Sequence, residues 1–237
     1  MPDTKPEHAW LREIEWLQKS EISALVSARF DPEVSGDDVD TNVVLPGSLA
    51  KAIAKRKAEF RAGRHAAALC MQHLGIEPKG IGRAAKGNPI WPAGVTGCIT
   101  HSKGRVAVWM EVGDHTLGLD LEHLPSANAV KAIKEVTLTQ SELDWVGALS
   151  EEEARRASVA IFSAKETLFK ALYPRVNAYF GFLAACADPF EPKADSIKLH
   201  LEDTLSPEFR RGDSFEISLR TFEGFVLTRL SVPAAGS

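Results

Sequence analysis

The chain has 237 residues, of which 44% are hydrophobic and 25% charged, and its formal net charge is −4. That length builds one large domain or two small ones, each with a buried core, and the composition is that of a soluble globular protein. The acidic balance excludes an ordinary nucleic-acid binder, which carries a basic surplus, but leaves room for a local basic pocket. Cys70, Cys98 and Cys186 lie far apart without metal-ligand spacing, so they read as reduced, mostly buried thiols. The N-terminus has no apolar leader core, and no run approaches the ~18 apolar residues of a membrane span. A cytoplasmic protein without a membrane segment is expected.

In chain order, residues 8–19 carry Trp10, Ile14 and Leu17 at helical spacing and predict a short amphipathic helix. Residues 27–39 read as extended and then acidic, with Asp37, Asp38 and Asp40 on a solvated loop. Pro46 opens a predicted helix that runs to Leu74, is interrupted at Gly63 and is ended by Gly75. Its basic residues, Arg56 and Arg64 among them, read by themselves as a wet helix face. Residues 79–94 are rich in Gly and Pro and predict a binding loop that holds both Arg83 and Lys86. Residues 95–100 and 106–112, joined through His101, predict a hairpin. A His at a strand end is, by residue type alone, more often structural than catalytic.

Between Thr116 and Leu124, Leu117, Leu119 and Leu121 alternate with Gly118, Asp120 and Glu122, the pattern of a half-buried strand. Asp120 and Glu122 then share one face, about 6.5–7 Å apart at their Cα atoms. Such a pair is either a solvated face or a converging set of ligands for one hard divalent cation, with Gly118 leaving room for a bulky ligand. Regular structure breaks at residues 125–128. Thr139 with Glu142 and Ser150 with Glu153 fit capping boxes, each opening a helix. The second helix continues through residues 161–172, where Glu166 and Lys170 sit one turn apart as a surface pair or a catalytic couple. Pro174 is expected to terminate it. Strands follow at 196–201, 215–221 and 225–230, the last two forming a hairpin. Both halves thus read as helices followed by antiparallel strands, with a boundary near Gly113 that divides the chain into residues 1–113 and 114–237.

The sequence Gly118-x-Asp120-x-Glu122, followed by Phe162-Ser-Ala-Lys165-Glu166-x-x-x-Lys170, resembles the two signature motifs of the 4′-phosphopantetheinyl transferases, in particular the monomeric Sfp/EntD branch. The stretches from Arg56 to Arg64 and from Gly87 to Ser102 resemble two further blocks of that family, so the likeness covers about half the chain. Phe162 stands where many members have Trp, and Thr100 where a serine is common.

The resemblance implies an α+β fold of two similar lobes, with the active site in the cleft between them. It implies transfer of the 4′-phosphopantetheine group of coenzyme A to a serine of an apo acyl- or peptidyl-carrier protein, with Mg²⁺ required and 3′,5′-ADP released. Asp120, Glu122 and Glu166 would hold Mg²⁺, and Glu166 would be the general base. Lys170 would meet the leaving phosphate, with Lys165, about 100° round the helix from Glu166, reaching a phosphate only on its long stem. Arg56, Arg64, Lys86, Thr100 and His101 would contact the nucleotide and its phosphates. Siderophore, non-ribosomal peptide, polyketide and fatty-acid synthesis are all open as the pathway, with the motif pattern leaning toward siderophores such as enterobactin or toward broad-range use. A metal-dependent phosphohydrolase would use the same acids but has no need of a nucleotide grip. A non-catalytic binding module would lack an acid or the base, and none is missing.

Overall fold

The computed structural model describes residues 11–34, 43, 45–78, 80–84, 87–191 and 193–234. It has mixed α/β architecture and divides into two compact units, Met1–Asp114 and His115–Ser237.

In the first unit, β1 (Arg12–Lys19) pairs antiparallel with β2 (Ser23–Arg29). The helix expected at 8–19 is therefore a strand over its described part. Glu13, Ile14, Glu15 and Trp16 also alternate polar with apolar, and pairing with β2 decided between the two periods. The helix expected from Pro46 begins later, because Gly47–Leu49 forms only a 3-10 turn before α1 (Ala54–His73). Gly63 does not interrupt α1. A Cβ there would lie 2.8 Å from Ile99 Cγ2, so the glycine lets the helix lie close on the sheet. Gly75, with φ +69, closes the helix end. The loop that follows contains a small ladder of β3 (Gly82–Arg83) with β4 (Pro89–Ile90). Then β5 (Val95–Ser102) and β6 (Arg105–Val112) form the predicted hairpin. Its two-residue turn, Lys103 and Gly104, takes positive φ at both positions, as a right-twisted hairpin requires. The sheet order is β1-β2-β6-β5. Ala58, Ala62, Ala66 and Cys70 of α1 share a core with Val26, Val106, Val108 and Met110.

The second unit opens with β7 (Thr116–His123). The break expected at 125–128 is shorter than predicted, since α2 (Ala127–Thr137) starts inside it. Both capping boxes form. Thr139 caps α3 (Gln140–Gly147), and Ser150 caps α4 (Glu151–Val176). Pro174 does not terminate α4. It lies in the last turn, and the stop is Asn177, left-handed at φ 52. The chain continues through β8 (Ala185–Ala187), β9 (Ser196–Leu201), β10 (Ser214–Phe222) and β11 (Phe225–Val232), and the sheet order is β7-β11-β10-β9-β8. One face of this sheet packs on α4 through Ile161, Leu168, Leu172, Ile197, Val226 and Leu230. In each unit a strand precedes the helices, which corrects the expected order. Cys70, Cys98 and Cys186 are free and buried.

Candidate functional site

The acids of the second unit are positioned by how closely β7 and α4 approach. A Cβ on Gly118 would stand 2.0 Å from Thr167 O and 3.1 Å from Ala171 Cβ. The missing side chain therefore admits the helix backbone, not a ligand, correcting the expectation from sequence. One strand repeat further on, Asp120 is buried. Its Oδ1 accepts from Lys170 Nζ at 2.6 Å, and its Oδ2 accepts from Ser163 Oγ at 2.8 Å. Lys170 Nζ also donates to Leu119 O at 3.2 Å. Behind the carboxylate, the Thr228 hydroxyl lies 2.8 Å from Ser163 Oγ and 2.7 Å from Thr167 Oγ1. Thr228 is the register partner of Asp120 on β11, so the strand ladder itself brings this hydroxyl relay to the acid.

Glu166 is half-buried one turn from Lys170 on α4. Burial raises its carboxyl above the ordinary value, the Lys170 ammonium opposes that, and the negative charge of Asp120 adds to it. Glu122 is half-buried on the same strand face as Asp120. Carboxylate oxygens are the donors that a hard divalent cation takes. Asp120, Glu122 and Glu166 together are an all-carboxylate donor set, the chemistry that such an ion takes. An apolar hollow beside Glu166 is lined by Leu168, Phe169, Tyr179, Phe180 and Phe182.

In the first unit, α1 and β5 bring Arg56 and His101 together. Arg56 Nη1 donates to Glu59 Oε2 at 3.2 Å and lies 3.1 Å from His101 Nε2. A guanidinium can only donate, so that ring nitrogen accepts and the imidazole proton sits on Nδ1, 3.7 Å from Glu59 Oε1. Thr100, beside it on β5, is buried.

Residues 45–110 match the 4′-phosphopantetheinyl transferase N-terminal domain, and residues 116–227 match the 4′-phosphopantetheinyl transferase superfamily. The 4′-phosphopantetheinyl transferase Svp of Streptomyces mobaraensis is 33% identical over 196 residues, 78% of this chain and 76% of its own length. The chain belongs to the 4′-phosphopantetheinyl transferase superfamily. Enterobactin synthase component D of Salmonella typhi is 33% identical over 172 residues, 68% of this chain and 70% of its own. The 4′-phosphopantetheinyl transferase Npt of Nocardia iowensis is 32% identical over 136 residues, 56% of this chain, and the match spans 60% of that relative.

Not every candidate residue of this superfamily member stands at the acids or at the Arg56 cluster. Lys165 is buried in a pair with Glu142 at 2.7 Å, its side chain 2% exposed and that of Glu142 fully covered. Its Nζ also donates to Thr137 O at 2.9 Å. Burial lowers the Lys165 ammonium from its ordinary value, and the Glu142 carboxylate works against that. The long stem points into the core, so the expectation that it reaches a phosphate is corrected. Arg64 is buried too, donating to Ile81 O at 3.1 Å and Gly82 O at 3.3 Å and stacking over Phe60. Burial and the neighbouring Arg83 lower it to about 10. The fork expected at a phosphate braces the β3 loop instead. Arg83 donates to Gly87 O and Ser48 Oγ, each at 3.2 Å. Lys86 lies outside the described residues.

Sequence reasoning missed Ser163, Thr167, Thr228 and Glu59. Ser163, Glu166, Thr167 and Lys170 repeat at three- and four-residue steps, a polar stripe on a helix that is otherwise mostly buried, and that signal was present in the sequence. Thr228 carries none without the strand register.

Proposed function

We propose that this transferase moves the 4′-phosphopantetheine group of coenzyme A to a serine hydroxyl of an apo acyl- or peptidyl-carrier protein. The observation that carries the reading is the set of Asp120, Lys170 and Glu166, one ammonium against two carboxylates on β7 and α4, in a chain of this superfamily. The serine oxygen attacks the phosphorus that bears the pantetheine arm. The new O–P bond forms as the bond to the bridging oxygen breaks, and 3′,5′-ADP leaves with that oxygen. Glu166 takes the hydroxyl proton, a task suited to a carboxyl raised by burial. Lys170 offers its charge to the departing phosphate. Asp120, Glu122 and Glu166 would hold Mg²⁺, which supplies neutralisation of the diphosphate when bound.

The first unit, in this reading, grips the nucleotide. Arg56, Thr100 and His101 contact its phosphates, and Arg64 braces the segment that leads into Arg83. A protein substrate agrees with three large apolar side chains around one groove, Val136, Tyr179 and Leu183, all more than half exposed. Similarity to enterobactin synthase component D favours siderophore synthesis as the pathway served.

Incubation of the protein with coenzyme A, Mg²⁺ and an apo carrier domain, read by intact mass, tests this. The expected result is one phosphopantetheine arm added to the carrier, lost when its serine is replaced by alanine. Free phosphate with an unmodified carrier would replace transfer with hydrolysis.

A further inference from the structure

At the edge of the second sheet, Cys186 on β8 is the register partner of His200 on β9, so the two side chains share a face. Glu202 follows two residues after His200. The ladder continues to it, since Glu202 N donates to Ala184 O at 2.8 Å. A thiol sulfur, an imidazole nitrogen and a carboxylate oxygen from these three residues lie within 4.8 Å of one another. Further polar groups stand close to them. His200 Nδ1 lies 3.5 Å from Asp188 Oδ1, and Nε2 lies 3.9 Å from Glu202 Oε1. A small turn of the ring would bring Nδ1 within hydrogen-bond reach of Asp188, and an outer carboxylate so placed fixes the tautomer and presents the other nitrogen to a metal. The hydroxyls of Thr139 and Ser141 each lie 3.3 Å from Cys186 Sγ and can donate to a thiolate.

We propose that Cys186, His200 and Glu202 form a second metal site, for a zinc-class ion, separate from the acids of β7 and α4. Sulfur, imidazole and carboxylate together suit Zn²⁺ or Co²⁺ and not Mg²⁺, which takes oxygen ligands. Thiolate and carboxylate balance a divalent charge, and three protein ligands leave one position for water. Tetrahedral zinc holds its donors about 3.3–3.7 Å apart. The half-buried Glu202 side chain closes the remaining distance by rotating. The ion would be structural. β8 is an edge strand, tied by β9 on one side and by the Glu142 carboxylate, which accepts from Ala187 N at 2.7 Å. A metal there would clamp β8 to β9 beside the Glu142–Lys165 pair.

Cobalt is the probe. The full chain, stripped with a chelator, is titrated with Co²⁺ and followed by absorption. One equivalent should give a thiolate-to-cobalt charge-transfer band with four-coordinate ligand-field bands. Zn²⁺ should bleach them and excess Mg²⁺ should not. Cys186→Ser should lose the charge-transfer band, Glu202→Gln should weaken Co²⁺ at least about tenfold, and Asp188→Asn should weaken it about 10–100-fold. Asp120→Asn should leave the spectrum unchanged. Zn²⁺ should raise the melting temperature of the parent protein and not of Cys186→Ser. Circular dichroism checks the fold of each variant, and Glu202→Gln, on a half-exposed side chain, decides the matter if Cys186→Ser does not fold. Absence of the charge-transfer band, its persistence in Cys186→Ser, or its bleaching by Mg²⁺ would overturn the proposal.

Discussion

A methyl group at Gly118 measures how tightly β7 and α4 are locked. Its Cβ would sit 2.0 Å from Thr167 O, where ordinary contact starts at 3.4 Å. Strand and helix must then part by about 1.4 Å, and because backbone stands on both sides no side chain can yield, which puts the cost at the upper end of overpacking, about 3 kcal/mol. For a chain of this size that is a fall of about 6–12 °C in melting temperature. The bonds to Asp120 from Lys170 at 2.6 Å and from Ser163 at 2.8 Å span the same gap. They open with it, and a displacement of about 1 Å at a reacting group costs on the order of 100-fold in rate. Thermal unfolding by circular dichroism and carrier modification by intact mass read the two effects on one Gly118→Ala sample. An unchanged melting temperature with a rate within about twofold of the parent would refute the claim that this contact sets the site.

Lys165→Met should cost about 3–5 kcal/mol in urea unfolding, because it leaves the Glu142 carboxylate buried without its cation. Adding Glu142→Gln should recover part of that loss. Glu166→Gln should abolish transfer and, in chelator, change how stability depends on pH. The raised carboxyl keeps its proton in the folded state to higher pH than in the unfolded one, so its favourable contribution is present at low pH and is lost as pH rises through the folded value. The Gln variant should therefore lose less stability than the parent as pH rises out of the carboxylate range, and parallel curves would contradict the burial argument. The Cys70 thiol, pushed up to about 12 by burial, should resist iodoacetamide at pH ~8 in the folded protein and react once urea unfolds it.

What the sequence revealed was local. The capping boxes at Thr139 and Ser150 are short-range hydrogen bonds between residues three apart, so nothing distant could alter them. The strand carrying Asp120 showed its alternation, and the hairpins showed their turns. Errors arose where a partner decided. Residues 12–19 fit two periods, and pairing with β2 selected one. Pro174 suggests a stop by its residue type, yet a missing N–H in the last turn leaves the helix room for Arg175 and Val176 before Asn177. Gly118 reads by sequence as space for a ligand, since only packing tells which neighbour fills it. Arg64 and Lys165 carry charges that suit phosphate, but nothing local to them says that Ile81, Gly82 and Glu142 lie within reach.

Lys165 and Glu166 are neighbours in the chain in opposite settings, one anchored inward on Glu142 and the other half-buried beside Lys170. With Glu166 as the proposed base, a screen that scores product alone would rank a damaged anchor beside a damaged base, since both would silence transfer. Only a parallel count of intact protein tells the two apart, and alanine scanning of this helix is interpretable on that condition.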